Sequence, residues 1–489
     1  MVAFFHSSFF ILTLVTSTIC APSTPSGGAL GIIRVSGPQS IPIADVLFTS
    51  PSHQLLSSAK GQTLHFGNIT DSSGAIIDEV LLSLFRAPHS YTGEDSIEIS
   101  CHGSRFIMNA IIERLIQLGC QQAQPGEFTQ RAFLNGKLDL SQAEAVADII
   151  ASNSRATHHM ALSQLRGHFS SELSQLREQL LKLTSLLELE LDFSDHEDLE
   201  FADRSELLQL TENINTHITR LIRSFRTGQA IKQGIPVAII GKTNVGKSTL
   251  LNQLLHDERA IVSNIHGTTR DVIEDTIDIN GVTFRFIDTA GIRKTTDAIE
   301  TLGIERTYKK ISEATIILWV IDQQPTPEEF EEIQRLTSDK SLIIIRNKID
   351  QLTPSSSPAT LSHSECCDVT ESSPSLQIPS SQNNYQSISI SAKHGTGISQ
   401  LEEVIYDAAH LDDWQESSTI VTHARHYEAL LRAQESLTHV QEGLHLQLSG
   451  DLLAEDLRIA LSHLGDITGG TITPDETLQN IFKHFCVGK

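Results

Sequence analysis

The run Gly241-Lys242-Thr243-Asn244-Val245-Gly246-Lys247-Ser248 follows the apolar stretch Pro236-Val237-Ala238-Ile239-Ile240 and precedes the helix-like Thr249-Leu250-Leu251-Asn252-Gln253-Leu254-Leu255. Glycines at this spacing, G-x-x-x-x-G-K-S, let backbone N–H groups of a loop close around phosphate oxygens. A helix starting directly after the loop adds the partial positive charge of its N-terminus. In such a loop Asn244, Val245, Gly246 and Thr249 line the cradle, Lys247 reaches the β- and γ-phosphates, and the Ser248 hydroxyl sits on Mg²⁺. The chemistry implied is nucleotide binding and phosphoryl transfer.

Three further elements follow in order. Ser263, Asn264, Ile265 and His266 lead into Gly267-Thr268-Thr269-Arg270-Asp271, where Thr269 can join the Mg²⁺ shell only while a γ-phosphate is present. Asp288-Thr289-Ala290-Gly291 comes at a strand end, placing an acidic group near Mg²⁺ and a glycine N–H opposite the γ-phosphate. Asn347-Lys348-Ile349-Asp350 ends another apolar strand. A carboxylate there, Asp350, accepts from guanine N1–H and the 2-amino group together; adenine offers neither, so a mismatch leaves a buried acceptor unpaired. Ser391-Ala392-Lys393 supports the base from a later loop. Together these elements imply a P-loop GTPase that binds GTP and GDP.

One position departs from the Ras-type pattern. Those enzymes orient the attacking water with a Gln just after D-x-x-G, whereas this chain has Ile292. Another polar group must orient the water if hydrolysis is fast, and Glu300, within the polar run Arg293 to Thr301, is a candidate general base.

These motifs need elements to hold them. Four near-continuous apolar runs, 236–240, 284–287, 316–321 and 342–345, alternate with helical signals, as a sheet covered on both faces requires. The reading is an inserted Ras-like α/β domain over residues 232–408, within which the Ser- and Pro-rich stretch 352–384 is a surface insertion. Residues 18–135 mix short strand-like runs, turn signals and one helix-like stretch from Phe106 to Leu118, and read as a small α+β domain. Residues 136–231 and 409–489 are helical. Phe169, Leu173, Leu176, Leu180, Leu183 and Leu187 draw one apolar stripe, and Leu453, Leu457, Ala460, Leu461 and Leu464 another. The two blocks read as one helical domain split by the insertion.

Composition sets outer bounds. At 489 residues the chain is too long for a single ordinary core, which suggests about three domains. With 36 Lys+Arg against 60 Asp+Glu the formal charge is −24, which repels nucleic acid in bulk, so an RNA role needs a local basic patch or a partner. Cysteines 20, 101, 120, 366, 367 and 486 are too scattered for a disulfide framework and show no C-x-x-C pair, which points to reduced thiols in the cytoplasm. The apolar run 9–15 resembles a signal-peptide core, but no Lys or Arg precedes it and Thr18-Ile19-Cys20 is no cleavage site. It is also shorter than the roughly 20 residues a spanning helix needs. An extended start or a buried terminal segment is favoured over export, and no membrane association is expected.

From about Thr18 to Lys489 the chain resembles the MnmE (TrmE) tRNA-modification GTPase family. Besides the nucleotide motifs, the resemblance rests on Gly31-Ile32-Ile33-Arg34-Val35-Ser36-Gly37, Tyr91-Thr92-Gly93-Glu94-Asp95, Pro125-Gly126-Glu127-Phe128-Thr129, Phe133-Leu134-Asn135-Gly136-Lys137-Leu138-Asp139-Leu140 and Phe485-Cys486-Val487-Gly488-Lys489. It implies an N-terminal domain that binds tetrahydrofolate and forms a homodimer, a split helical domain and an inserted G domain. It further implies that a flavoprotein, MnmG, works with the chain to add a carboxymethylaminomethyl group to C5 of the wobble uridine of certain tRNAs. The one-carbon unit would come from a 5-formyl or 5,10-methylene tetrahydrofolate.

The resemblance also assigns residues. Asn244, Ser263, Ile265 and Thr268 match positions that hold potassium, and Glu300 matches the family's catalytic Glu, beside Lys247. Arg34, Glu98, Lys137 and Lys489 match folate-binding positions, and Cys486 matches the family's C-terminal cysteine, a candidate for the modification chemistry whose role stays open. Residues 1–17 have no family counterpart, so Thr18-Ile19-Cys20-Ala21 is expected to open the first strand. The rival reading is a ribosome-assembly GTPase of the Era or Der kind, but those carry a basic KH-type module and this acidic chain has no G-x-x-G in a basic context. A membrane-tethered GTPase is a weaker reading, resting on the apolar run alone.

Overall fold

In the computed structural model, residues 17–192, 204–256, 275–287, 311–351, 385–409 and 419–470 are described, together with Phe485 and Gly488. Close packing divides the chain into two units. One comprises residues 1–151, 160–222 and 423–489, and the other residues 152–159 and 223–422.

In the first unit β1 (Ile19–Pro22) opens the fold where the resemblance expected it. It pairs with β2 (Leu30–Ser36), in which Ile33 and Val35 are buried while Arg34 points to the opposite face. Such alternation marks a strand with one face on a core. With β3 (Phe48–Thr49), β4 (Thr63–Thr70), β5 (Ile76–Phe85), β6 (Ser96–His102) and β7 (Gln121–Gln122) it forms a sheet in the order β3-β4-β5-β6-β2-β1-β7. All pairings are antiparallel except β1 with β7. Helices α1 (Ser40–Leu47) and α2 (Arg105–Gln117) contribute Leu47, Ile111 and Leu115 to the core behind Ile33, Leu82 and Ile99. Cys20, Cys101 and Cys120 are free and buried there.

The same unit holds α3 (Glu127–Leu134), α4 (Leu140–Ala151), α6 (His168–Asp192), α11 (Ala424–His445), α12 (Gly450–Thr468) and part of both α5 (Arg155–Leu165) and α7 (Arg204–Gln233). The stripe from Phe169 to Leu187 on α6 is buried, as are Leu453, Leu457, Ala460, Leu461 and Leu464 of α12, which packs against α6 and α11. A polar cluster sits among these helices, with Glu144 and His426 buried and Arg425, His423 and Asp148 partly exposed. Glu144 of α4 accepts from His426 Nε2 at 2.7 Å and from Arg425 through Nε and Nη2, both at 3.1 Å, while His423 pairs with Asp148 at 2.9 Å. Burial alone would raise the Glu144 carboxyl, but His426, His423 and Arg425 outweigh it and hold the group below the usual carboxylate range. Burial pushes the His426 imidazole down to about 4, so it stays neutral at pH 7, and among the described residues its Nδ1 has no hydrogen-bond partner.

The second unit is built on β8 (Ile235–Ile240), β9 (Asp275–Ile279), β10 (Val282–Phe286), β11 (Ile316–Ile321), β12 (Ser341–Arg346) and β13 (Tyr385–Ser389), in the order β13-β12-β11-β8-β10-β9. Only β9 and β10 are antiparallel. Their hairpin turns through Asn280 and Gly281, both at positive φ, the backbone a two-residue turn of that kind requires. Every residue of β11 is buried, the signature of a central parallel strand covered on both faces. The helices are α8 (Lys247–His256), α9 (Pro327–Leu336) and α10 (Ile398–Ala408). Thr326 and Glu329 form a reciprocal capping box that starts α9. Among the described residues no helix is long and apolar enough to cross a membrane.

Candidate functional site

The chain must reverse between the end of β8 at Ile240 and the start of α8 at Lys247. It does so with positive φ at Gly241, Asn244 and Gly246. The two glycines are also forced by contact. A β-carbon would lie 2.3 Å from the Val320 carbonyl oxygen at Gly241 and 2.2 Å from Asn347 Nδ2 at Gly246. Asn244 tolerates its φ of 61° because a short polar side chain suits the left-handed region. Lys247 curls back over the loop, its Nζ donating to the carbonyls of Gly241, at 2.7 Å, and Lys242. Lys242 in turn pairs with Glu329 at 2.6 Å, which lowers that carboxyl. Ser248 and Thr249 follow in the first turn of α8.

Asn347 joins this loop to the other two described motifs. Its Nδ2 donates to the Val245 carbonyl at 2.8 Å, and its Oδ1 accepts from the Ala392 N–H at 2.9 Å; the residue is buried. Ser391 Oγ donates to Asp350 Oδ1 at 2.6 Å. That bond, more than any other group, holds the Asp350 carboxyl below its ordinary range, with His394 and Lys393 adding smaller electrostatic help. His394 Nε2 stands 3.9 Å from Asp350 Oδ2. Lys348 adopts a φ of 63° and pairs with Asp322 at 2.9 Å, and Ile349 begins the short turn that carries Asp350. The sequence reading had no role for Asp322 or His394; the available signals were a carboxylate at a strand end and a residue following Ser-Ala-Lys.

Other expected groups lie outside the described residues: Ser263, Asn264, Ile265, His266, Gly267, Thr268, Thr269, Asp288, Thr289, Ala290, Gly291, Ile292 and Glu300. Residues 1–16, the insertion 352–384, Cys486 and Lys489 lie outside them too.

In the first unit the register β2–β6 sets Arg34 opposite Glu98. Arg34 Nε and Nη2 both donate to Glu98 Oε1, at 2.9 and 2.7 Å. The guanidinium carbon lies 5.3 Å from the centroid of the Tyr91 ring and 5.6 Å from that of Phe128, so two aromatic faces steady the cation. Burial raises the Tyr91 phenol, whose oxygen bonds Thr129 Oγ1 at 2.8 Å. Lys137 is not hydrogen-bonded to this pair; it is exposed and donates to the Pro88 carbonyl at 3.0 Å. Tyr91 and Phe128 fell within motifs noted in the sequence, but no role had been read for them. A cation, a carboxylate and flanking rings suit a flat heteroaromatic ligand bearing hydrogen-bond donors and an anionic tail.

Residues 18–137 match the family described as "GTP-binding protein TrmE N-terminus" and residues 140–486 that described as "MnmE helical domain". The chain is 52% identical to a protein of Phocaeicola vulgatus, over 96% of this chain and 99% of that one. It is 54% identical to a protein of Bacteroides fragilis over the same shares, and 53% identical to one of Parabacteroides distasonis over 97% of this chain and 100% of that one. All three relatives are named tRNA modification GTPase MnmE.

Proposed function

The chain belongs to the MnmE family of tRNA modification GTPases, and from that premise we propose how it works. It is a GTP hydrolase acting in tRNA modification. In our reading hydrolysis is activated by potassium. The output, shared with an MnmG-type flavoprotein, is addition of a carboxymethylaminomethyl group to the wobble uridine in the cytoplasm.

The observation that carries the nucleotide half is the Asn347 side chain, bonded at once to Val245 of the phosphate loop and Ala392 of the base loop. Phosphate and base recognition are thereby rigidly spaced, as binding one nucleotide requires. Lys247 holds the β- and γ-phosphates, and Asp350, whose carboxyl Ser391 holds below its ordinary range, accepts from guanine. Ser248 and Thr269 would hold Mg²⁺. Asn244, Ser263, Ile265 and Thr268 would hold a potassium ion, whose charge near the β–γ bridge offsets the charge that develops on phosphoryl transfer. With Ile292 in place of a water-orienting Gln, Glu300 takes that task.

For the second half, Arg34, Glu98, Lys137 and Lys489 would hold a tetrahydrofolate, the carboxylate on the donor edge of the pterin and the cations on its anionic tail, and Cys486 is a candidate for the modification chemistry. Residues 18–135 would be the folate-binding and dimerising domain, 136–231 with 409–489 the split helical domain, and 232–408 the G domain.

The test is hydrolysis by the purified chain in potassium against sodium, with Asn244→Ala and Glu300→Ala alongside. Faster turnover in potassium, lost in both variants, is expected; equal rates in both salts would end the potassium mechanism. Isothermal titration with 5-formyltetrahydrofolate addresses the second half, which fails if no heat above dilution is seen.

A further inference from the structure

Asp and Glu make up 60 of the 489 residues, yet none occurs from Asn213 to His256. The C-terminal part of α7 falls in that stretch. Ile214, Ile218, Leu221 and Ile231 turn one face of the helix inward, and Gly228 admits the Val421 carbonyl, whose oxygen a β-carbon would meet at 2.3 Å. Ser224 Oγ accepts from the Val421 N–H at 3.1 Å, and Gln229 Nε2 donates to the Thr422 carbonyl at 2.7 Å. These contacts fix the rotation of the helix, and they leave Arg223 and Arg226 exposed.

Folding does not account for the two arginines. Residues three apart on a helix are neighbours, with β-carbons about 5–6 Å apart, so two cations there repel. Neither is ion-paired with another described residue, unlike Arg220 one turn earlier, which is held by Glu172. The helix dipole favours cations only in the last turn, and these two lie seven and ten positions before Gln233. Among its described residues α7 exposes no large apolar side chain. A membrane-lying helix needs an apolar face and a protein interface needs apolar or aromatic anchors, so the surface suits neither. Two adjacent guanidinium forks on an otherwise acidic molecule suit the phosphates of a nucleic-acid strand.

We propose that Arg223 and Arg226 form a contact surface for the phosphate backbone of tRNA. The inference rests on the chain's part in tRNA modification, and it supplies a local basic patch on a molecule whose formal charge is −24. Contacts of this kind set affinity and register on the RNA without reading its sequence.

The experiment measures binding of unmodified tRNA by the full chain over a sodium chloride series, by fluorescence anisotropy. It compares wild type with three double variants: Arg223→Ala/Arg226→Ala, Arg223→Lys/Arg226→Lys, and Arg432→Ala/Arg458→Ala. The last removes the same charge from α11 and α12, where each arginine is exposed and paired with a glutamate of its own helix. The first is expected to bind about tenfold more weakly at low salt, with a slope of log affinity against log salt shallower by about 1.4–1.8. The lysine variant keeps the slope, and the Arg432/Arg458 variant stays near wild type. Equal slopes for wild type and the Arg223/Arg226 alanine variant overturn the surface, as does an equal loss in the Arg432/Arg458 variant, which would mean bulk charge alone. A melting temperature lowered by more than a few degrees in the Arg223/Arg226 alanine variant overturns it too, by marking the arginines as structural. A wild type that binds no tRNA also overturns the surface, while faster GTP hydrolysis in potassium than in sodium would leave the nucleotide half of the proposed function standing.

Discussion

The side-chain amide of Asn347 donates to the carbonyl of Val245 across 2.8 Å, a buried bond between residues 102 positions apart in the chain. Its carbonyl takes the Ala392 N–H, so one side chain sets the spacing of three loops. Asn347→Ala removes both bonds and leaves a buried carbonyl and N–H unpaired, at about 1–3 kcal/mol each. GDP affinity is expected to fall by about tenfold to a hundredfold in a titration with a fluorescent GDP analogue. Gly246→Ala is expected to do similar damage, because its β-carbon would displace the same amide nitrogen. Unchanged affinity in Asn347→Ala would show that the loops keep their spacing without it.

Asp350 is held on one oxygen by Ser391. Asp350→Asn replaces an acceptor with a donor toward the base, leaving guanine N1–H facing an N–H. GTP affinity is expected to drop by at least about a hundredfold while xanthosine triphosphate gains. Competition between the two nucleotides for the variant decides it, and continued preference for GTP would reject the assigned role.

The buried cluster around Glu144 makes stability depend on pH. The folded pKa of His426 is about 4 against an ordinary 6.5, so between those values the unfolded chain takes up a proton that the folded chain refuses. Stability from this residue is therefore complete above about pH 6.5 and is lost as pH falls toward 4, by on the order of 3 kcal/mol in all. Glu144, held below its ordinary 4.5, adds a further loss only below that pH. Calorimetric melting from pH 7.5 to 4.5 should show the decline in wild type and a flatter course in His426→Gln. Parallel curves would mean that another group titrates.

The Arg34–Glu98 pair separates binding from stability. Both side chains are partly exposed, at 17% and 28%, so the pair contributes about 0–1 kcal/mol to folding. Glu98→Gln should leave the melting temperature within a few degrees of wild type and weaken 5-formyltetrahydrofolate binding by about tenfold or more. A large melting shift with intact binding would mark the pair as structural.

Much of this was legible in the sequence because the chemistry is local. A phosphate cradle needs Gly241, Gly246, Lys247 and Ser248 within one turn of chain, and guanine recognition needs Asp350 at a strand end. The apolar stripe from Phe169 to Leu187 likewise announced a buried helix face, since its period is that of the helix itself. The roles read for Thr269, Asp288 and Glu300 rest on the sequence alone, because they lie outside the described residues.

What the sequence determined by itself was therefore the nucleotide class, from the order and spacing of short motifs. Only the tertiary structure decided the company those motifs keep. The pairing of Arg34 with Glu98 depends on strand register, and the bond from Arg34 to the Gly488 carbonyl joins positions 454 residues apart. The Glu144–His426 cluster depends on how α4 meets α11. No local pattern encodes such contacts, because register and helix docking follow from burying the whole apolar surface at once.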